Sequence, residues 1–388
     1  MTVALAGGAT GGHLAPGVAL AEAIRQRQPD RHILWMATSR PSEHYCLQGQ
    51  DVELVQLPAR PMQRGGLGML RFAMSQNACL GKVFGLLLRR KPDVVIGLGG
   101  YASAAPVLAA RMLGIPTGLL EQNAFPGKAS RLIGAFADAI CVPWDACADG
   151  FRSGACVHVT GNPVRVGVLE GDREKAARRF GLKADAPTLL VLGGSQGSLA
   201  VNTLVTTGLQ RAADRKDGLQ VIHCAGPGHS EAVRKAYDRF GVPAYVDDFV
   251  QEMGLAYALA DMAVCRAGGT TIAELTAVGL PSILIPFPFA TENHQYFNAL
   301  VPAGAGGAVI MSQEGLSADA LWDAVFEIMD DSERLSEMRA ASRSVGRPDA
   351  AQKAADVMLA LTGRPAAHET VEPAEIAVAA EEELAVAV

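Results

Sequence analysis

Several classes of protein are excluded by what this sequence lacks. No run reaches the roughly 18 uninterrupted apolar residues that a membrane span needs, so any membrane contact must be peripheral. Met1-Thr-Val-Ala-Leu-Ala runs into a glycine turn without a basic region, so no signal peptide is expected. The seven cysteines, an odd number with no C-x-x-C pair, suggest reduced thiols in a cytosolic protein and form no zinc pattern. There is no excess of basic residues, and a net charge of −6 argues against nucleic acid as the main partner. No glycine turn is followed by Gly-Lys-Ser/Thr, which excludes a Walker loop. No Asp-x-Asp triplet occurs, so a donor site built on a chelated metal lacks its ligands.

What is present is an apolar, glycine-rich chain. Its 388 residues suggest two or three domains, and 49% hydrophobic residues with 42 glycines fit an α/β enzyme with many tight βα turns. The most informative stretch runs from Ala260 to Pro286. Met262 to Cys265 reads as a buried strand, Gly268-Gly269 as a turn, Thr271 to Val278 as a helix stopped by Gly279, and Ser282 to Ile285 as the next strand. Such a βαβ unit brings a ligand's anion to unpaired amides and the positive dipole at the helix start. Glu274, one turn further on, is placed to accept hydrogen bonds from a ribose diol. Thr271-Ile-Ala-Glu274 reads equally as a capping box, with no ligand implied.

The same layout recurs along the chain. Val3 to Ala6 is a strand leading into Gly7-Gly-Ala-Thr-Gly-Gly-His13, with helical spacing over Val18 to Ile24. A lone histidine is usually structural, but one on a glycine loop at a sheet's carboxyl edge has better odds of function. His32 to Ala37, Val52 to Leu57, Thr117 to Leu120, Ala139 to Val142 and Val157 to Thr160 read as further strands. Between Arg60 and Pro92 apolar residues interleave with Arg60, Arg64, Arg71, Lys82, Arg89, Arg90 and Lys91, and no acid occurs. The pattern suits an interfacial surface for anionic lipid and, equally, core-facing helices with solvated basic residues.

Gly97-x-Gly99-x-x-Ala102, with Glu121 ending the next strand, imitates a dinucleotide fingerprint, although it lies in mid-domain. The polar triplet Glu121-Gln-Asn123 suits an active site or a helix-capping loop. Gly161-Asn-Pro-Val-Arg165 reads as a hinge. Beyond it Thr188 to Leu192, Gly193-Gly-Ser-Gln-Gly-Ser198 and a helix through Ala200 to Leu209 restate the opening. Ser195 and its neighbouring amides form a second phosphate cradle opposite Arg165. Phe249-Val250 falls in a loop before a helix from Gln251 to Leu259. His294 and Gln295 start a helix, well placed for hydroxyl groups. Leu316 to Leu361 is helical, and residues 363–388 are expected to be a disordered tail. The expected fold class is α/β, with two Rossmann-like domains whose parallel sheets face each other across a cleft.

These motifs, in this order, resemble the MurG family, the peptidoglycan transferases that add N-acetylglucosamine to undecaprenyl-pyrophosphoryl-N-acetylmuramyl-pentapeptide. The resemblance runs over residues 1–362 through Gly7-Gly8 with Thr10-Gly-Gly-His13, Gly99-Gly-Tyr-Ala-Ser103, Glu121-Gln-Asn123, Gly161-Asn-Pro-Val-Arg165, Gly193-Gly-Ser-Gln-Gly197, Arg266 to Glu274, and His294-Gln295. An extra Ala9 splits the family's first motif, Ala267 replaces a common serine, and His294 stands where some members have glutamine.

The resemblance implies a GT-B architecture. An acceptor and membrane-binding domain occupies 1–162, with a helix at about 342–362 packed back on it, and a donor domain occupies 163–341. It implies an inverting, metal-independent transfer that turns lipid I into lipid II in cell-wall synthesis, and with it roles in cell shape and division. His13 and Glu121 are the expected catalytic residues. His13, Tyr101, Ser103 and Asn123 fall on the acceptor side. Donor contacts fall on Thr10, Gly11, Gly12, Asn123, Arg165, Ser195, Val250, Gly268, Gly269, Thr270, Thr271, Glu274, His294 and Gln295. No cofactor is implied. The implied partners are UDP-N-acetylglucosamine, lipid I, an anionic membrane surface along Arg60 to Lys91 and other cell-wall synthesis proteins, and the location is the cytoplasmic face of the inner membrane.

An inverting transfer needs a base for the acceptor hydroxyl and positive charge or dipoles for departing UDP. His13, titrating near neutrality, is the best-placed base, and orienting the acceptor phosphates is its alternative role. A nicotinamide-dependent oxidoreductase using Gly97 to Ala102 and Glu121, a donor-binding regulatory subunit, and a transferase for another lipid acceptor are the rival readings.

Overall fold

The computed structural model describes residues 1–363 except 9–10, 39, 41–42, 44–45, 62–65 and 216–217. Thr10, Arg64 and the expected tail lie outside the described residues. The chain forms two compact units, one made of Met1–Pro163 with the segment that begins at Asp349, the other of Val164–Pro348.

The first unit holds seven strands: β1 (Thr2–Ala6), β2 (His32–Ala37), β3 (Glu53–Gln56), β4 (Val94–Gly97), β5 (Thr117–Leu120), β6 (Ala139–Val142) and β7 (Val157–Val159). All pair in parallel, in the order β3-β2-β1-β4-β5-β6-β7. Helices cover both faces, so the central strands are continuous apolar runs and not alternating ones. On one face Leu20, Ile24 and Trp35 pack with Ala351, Ala354, Ala355 and Met358 of the Ala350–Ala360 helix. On the other, Leu34 and Met36 pack against Cys79, Val83 and Leu87. Burying each large side chain contributes roughly 1.5–3 kcal/mol.

The Arg60 to Pro92 segment is mostly one helix, Gly66–Arg90. Ser75, Cys79, Val83 and Leu87, spaced by four, are its buried face, while Met69, Leu70 and Met74 remain more than half exposed. One face of this helix is therefore core-facing, and the opposite face carries exposed apolar residues. Its basic residues are exposed, with Lys82 Nζ donating to Gln56 O (2.6 Å) and Arg90 paired with Glu53. Among the described residues no helix is long and apolar enough to cross a membrane.

The second unit repeats the plan with β8 (Thr188–Leu192), β9 (Gln220–Cys224), β10 (Ala244–Asp247), β11 (Met262–Cys265), β12 (Ser282–Leu284) and β13 (Ala308–Ile310). Its order, β10-β9-β8-β11-β12-β13, matches that of the first six strands of the other sheet. Both are the dinucleotide-fold order, whose direction reverses beside the first strand. β13 was not expected, because three residues at a sheet edge carry no readable period. The helical stretch from Leu316 onward divides into Ala318–Met329, Ser332–Ser344 and Ala350–Ala360, the second started by Asp331, whose carboxylate accepts from Arg334 N (2.9 Å).

Candidate active site

In each sheet the glycine turns singled out in the sequence leave the carboxyl ends of the two strands that flank the reversal of strand order, where open α/β sheets bind ligands. In the first unit these are the turn after β1, whose Gly7 carbonyl accepts from buried Trp35 Nε1 (3.1 Å), and Leu98–Gly100 after β4. The helix after β1 starts earlier than its periodicity indicates, at Gly11, so Gly11, Gly12 and His13 form its first turn. The next begins at Tyr101 instead of near Ala105, with Gly100 at its N-cap.

These two turns meet at His13. Gly99 has φ +82°, and a Cβ there would lie 3.0 Å from His13 Cδ2, 3.4 Å from His13 Nε2 and 3.1 Å from Gln122 Oε1. Only glycine leaves room for the imidazole against the backbone. Gln122, the middle residue of the polar triplet, is buried and clamped by Nε2 to the carbonyls of Leu98 (3.1 Å) and Leu120 (2.8 Å). Its Oε1 is buried without a hydrogen-bond partner.

Glu121 is 2% exposed, and its Oε1 accepts from the amides of Gln122 (2.9 Å) and Asn123 (2.8 Å) and from Asn123 Nδ2 (2.9 Å). The carboxylate organises its own loop. Ser103 is buried, with Oγ donating to Gly100 O (2.8 Å), while half-buried Tyr101 lies under the Arg40 guanidinium at 5.9 Å.

In the second unit the turn after β8 holds half-buried Ser195, and its end, Ser198, caps the Leu199–Thr207 helix by accepting from Val201 N. Gly197, at φ +71°, packs backbone to backbone on the turn after β9: a Cβ on it would lie 2.7 Å from Gly226 Cα. After β11 the helix is Gly269–Val278, capped by Gly268 and ended by Gly279 in the left-handed region. The capping-box reading fails here, because Glu274 lies too deep in the helix to return to the N-cap. Gly268 makes no side-chain cap hydrogen bond to the first turn, so this helix N-terminus suits an anion. Buried Asn298 Nδ2 holds the Ala267 carbonyl at 3.0 Å.

Glu274 is buried, and its Oε2 accepts from the hydroxyl of buried Tyr257 (2.8 Å). Burial raises its pKa above the carboxylate range, opposed by the Arg165 charge and the Tyr257 hydrogen bond. Arg165 Nε is itself buried without an acceptor. Val250 is buried. Glu292 and Asn293 both adopt left-handed φ (50° and 53°), at roughly 1–2 kcal/mol each, and lead into the His294–Ala305 helix. His294 Nδ1 bonds Thr291 O (2.7 Å), which turns Nε2 of the neutral ring into an acceptor, while Gln295 Oε1 accepts from Phe287 N (2.9 Å) and keeps its amide hydrogens for other partners.

The model of the glycosyltransferase family 28 N-terminal domain matches residues 3–142, and that of the glycosyltransferase family 28 C-terminal domain matches 188–354. The chain is 38% identical over 365 residues to the UDP-N-acetylglucosamine--N-acetylmuramyl-(pentapeptide) pyrophosphoryl-undecaprenol N-acetylglucosamine transferase of Myxococcus xanthus (strain DK1622), covering 93% of each. It is 36% identical over 375 residues to the transferase of the same name from Desulforudis audaxviator (strain MP104C), covering 94% of this chain and 99% of that one. The crystal structure of Acinetobacter baumannii MurG gives a TM-score of 0.70 at 26% identity, over 92% of this chain and 99% of that one. The S. aureus MnaA-UDP co-structure, at 14% identity and TM-score 0.65 over 90% and 93%, shares the fold.

Proposed function

The chain belongs to glycosyltransferase family 28, and from that premise we propose that it moves N-acetylglucosamine from UDP-N-acetylglucosamine to the C4 hydroxyl of undecaprenyl-pyrophosphoryl-N-acetylmuramyl-pentapeptide, the lipid I to lipid II step of peptidoglycan synthesis. The observation that carries this reading is 38% identity over 93% of both chains to a relative of that name. The oxidoreductase reading loses its support, since the acid it needs, Glu121, bonds three groups of its own loop.

The residues supply roles for the donor. Diphosphate lies on the Ser195 turn and the first-turn amides at Gly269 to Thr271, with Arg165 Nε as a donor that lacks an acceptor in the fold. Ribose bonds Glu274, uracil takes the backbone at Val250, and His294 and Gln295 offer the sugar hydroxyls one acceptor and one donor. Gly11, Gly12 and Asn123 complete the donor contacts, as does Thr10, outside the described residues. On the first unit Tyr101, Ser103 and Asn123 serve the acceptor. The acceptor oxygen attacks the anomeric carbon, the bond from that carbon to UDP breaks with inversion, and His13 takes the hydroxyl proton. Glu121 acts by shaping the loop beside His13. Helix N-termini and Arg165 stabilise departing UDP in place of a metal.

Peripheral attachment to the cytoplasmic membrane face goes with this reading, supported by exposed Met69, Leu70 and Met74 among Arg71, Lys82, Arg89 and Arg90. The test is transfer of radiolabelled N-acetylglucosamine from its UDP donor to a short-chain lipid I analogue, with and without chelator. Turnover unaffected by chelator is the expected result, and absence of transfer refutes the reading.

A further inference from the structure

Arg266 carries an inference that rests on the donor reading above. It directly follows β11 and is 6% exposed. Its five N–H groups all meet neutral acceptors. Nε and Nη2 donate to Ser198 Oγ (3.1 and 2.9 Å), Nη1 to the carbonyls of Ile285 (3.0 Å) and Pro286 (3.2 Å), and Nη2 to Gln313 Oε1 (2.6 Å). The Phe287 ring lies 5.4 Å from the guanidinium carbon. Among the described residues, Arg173, Arg179, Arg211, Arg215, Lys235, Arg334 and Arg339 of this unit are cations of ion pairs, and Arg266 is not.

Its hydrogen bonds are satisfied but its charge is not. A buried charge without a counter-ion is costly, and an arginine keeps its proton. Arg165 differs, because its charge already acts on Glu274. Arg266 also lies beneath both turns assigned to the diphosphate. It bonds Ser198 at the end of one turn and precedes Ala267-Gly268, which opens the other.

We propose that the missing countercharge is the diphosphate of the bound nucleotide. Arg266 is then a positioning residue with two separable actions. Its hydrogen bonds hold the Ser198 end of the cradle, and its charge sets a positive potential under the phosphates without touching them, since every N–H is engaged.

Calorimetric titration of UDP and of uridine into the wild type and into Arg266→Lys, Arg266→Met and Arg266→Gln separates the two actions. The ratio of UDP to uridine affinity is expected to fall about tenfold or more in the Met and Gln variants, and to be largely kept in the Lys variant. Uridine affinity itself stays within about twofold throughout. Gln keeps amide donors for Ser198, so it serves as the neutral variant if Met fails to fold. A purely structural role predicts that Lys, which cannot make the five bonds, falls as far as Met, and that result overturns the proposal. So does an unchanged ratio in the neutral variants. A wild type with no preference for UDP over uridine removes the donor reading and this inference together, whereas a wild-type preference that survives in the neutral variants removes only the inference.

Discussion

Acidification is expected to weaken the second unit through one buried residue, His223. It lies on β9 at 0% exposure inside a closed hydrogen-bond chain. Asn202 Nδ2 donates to Ala225 O (2.8 Å), which leaves Asn202 Oδ1 as the acceptor facing His223 Nε2 (3.0 Å). That nitrogen therefore carries the proton, and Nδ1 accepts from the Tyr237 hydroxyl (2.9 Å). A second proton on Nδ1 would displace the Tyr237 hydrogen and put a charge in the core, and burial lowers the ring's pKa from 6.5 to about 3. The unfolded chain thus binds more protons than the folded one between those values. The stability due to neutral His223 is complete above about pH 6.5 and is lost as pH falls from there toward 3. The slope approaches about 1.4 kcal/mol per pH unit, which amounts to about 2 kcal/mol between pH 7 and pH 5. Native-state hydrogen exchange of β8 and β9 peptides at the two pH values, corrected for intrinsic exchange, measures this locally. His223→Gln removes the titration and keeps polar groups for Asn202 and Tyr237, so the wild type should lose about 2 kcal/mol more than the variant over this interval. Equal losses in the two proteins would refute the assignment of the acid sensitivity to His223.

Further expectations concern the site and the surface. His13→Ala should abolish turnover and leave UDP-sugar binding nearly unchanged; near-normal turnover eliminates His13 as the base. Gly99→Ala introduces a Cβ at φ +82° against the His13 ring and Gln122; it should cost about 1–2 kcal/mol of stability and reduce kcat by roughly 10-fold to 100-fold through displacement of the imidazole, and a melting shift with unchanged kcat contradicts that coupling. Glu274→Gln should raise the donor KM by an amount equivalent to roughly 1.5–3 kcal/mol. Because burial raises the Glu274 pKa and the Tyr257 hydrogen bond opposes that rise, wild-type donor KM should increase as pH falls and the carboxylate protonates. In Tyr257→Phe the increase should begin at higher pH, and identical KM profiles would show that the group whose protonation raises KM is not Glu274. Replacing Met69, Leu70 and Met74 together by Ser should reduce co-sedimentation with anionic vesicles about tenfold while sparing transfer to a soluble acceptor; unchanged sedimentation refutes the membrane assignment.

The sequence made the turns legible and left their partners hidden, for a physical reason. A strand that ends in Gly-Gly and restarts as a helix is a local event, written in contiguous residues such as Leu192 to Leu199, and the strands at each reversal of order are legible from such events, whereas β13 is not. The helices that start at Gly11 and Tyr101 begin earlier than their apolar period indicates, because first turns of glycine and small residues carry no such period. Strand order is non-local. It follows from crossovers that keep one hand, and it decides that the turns after β1 and β4, and those after β8 and β11, become neighbours. Once they are neighbours, the residues that fix them are polar side chains with distant partners, inside the motifs as well as between them: Gln122 clamped across Leu98 and Leu120, Tyr257 on Glu274, Asn298 on Ala267, and Arg266 joining Ser198 to Pro286. None of these has a periodic or spacing signal, since each is an ordinary side chain whose partner lies elsewhere in the chain. In a fold that places ligands on backbone amides, the glycines reveal where a ligand is held, and the buried polar side chains behind them determine how firmly the amides are aimed. Substitutions behind the turns should therefore alter affinity for phosphate as strongly as substitutions within them.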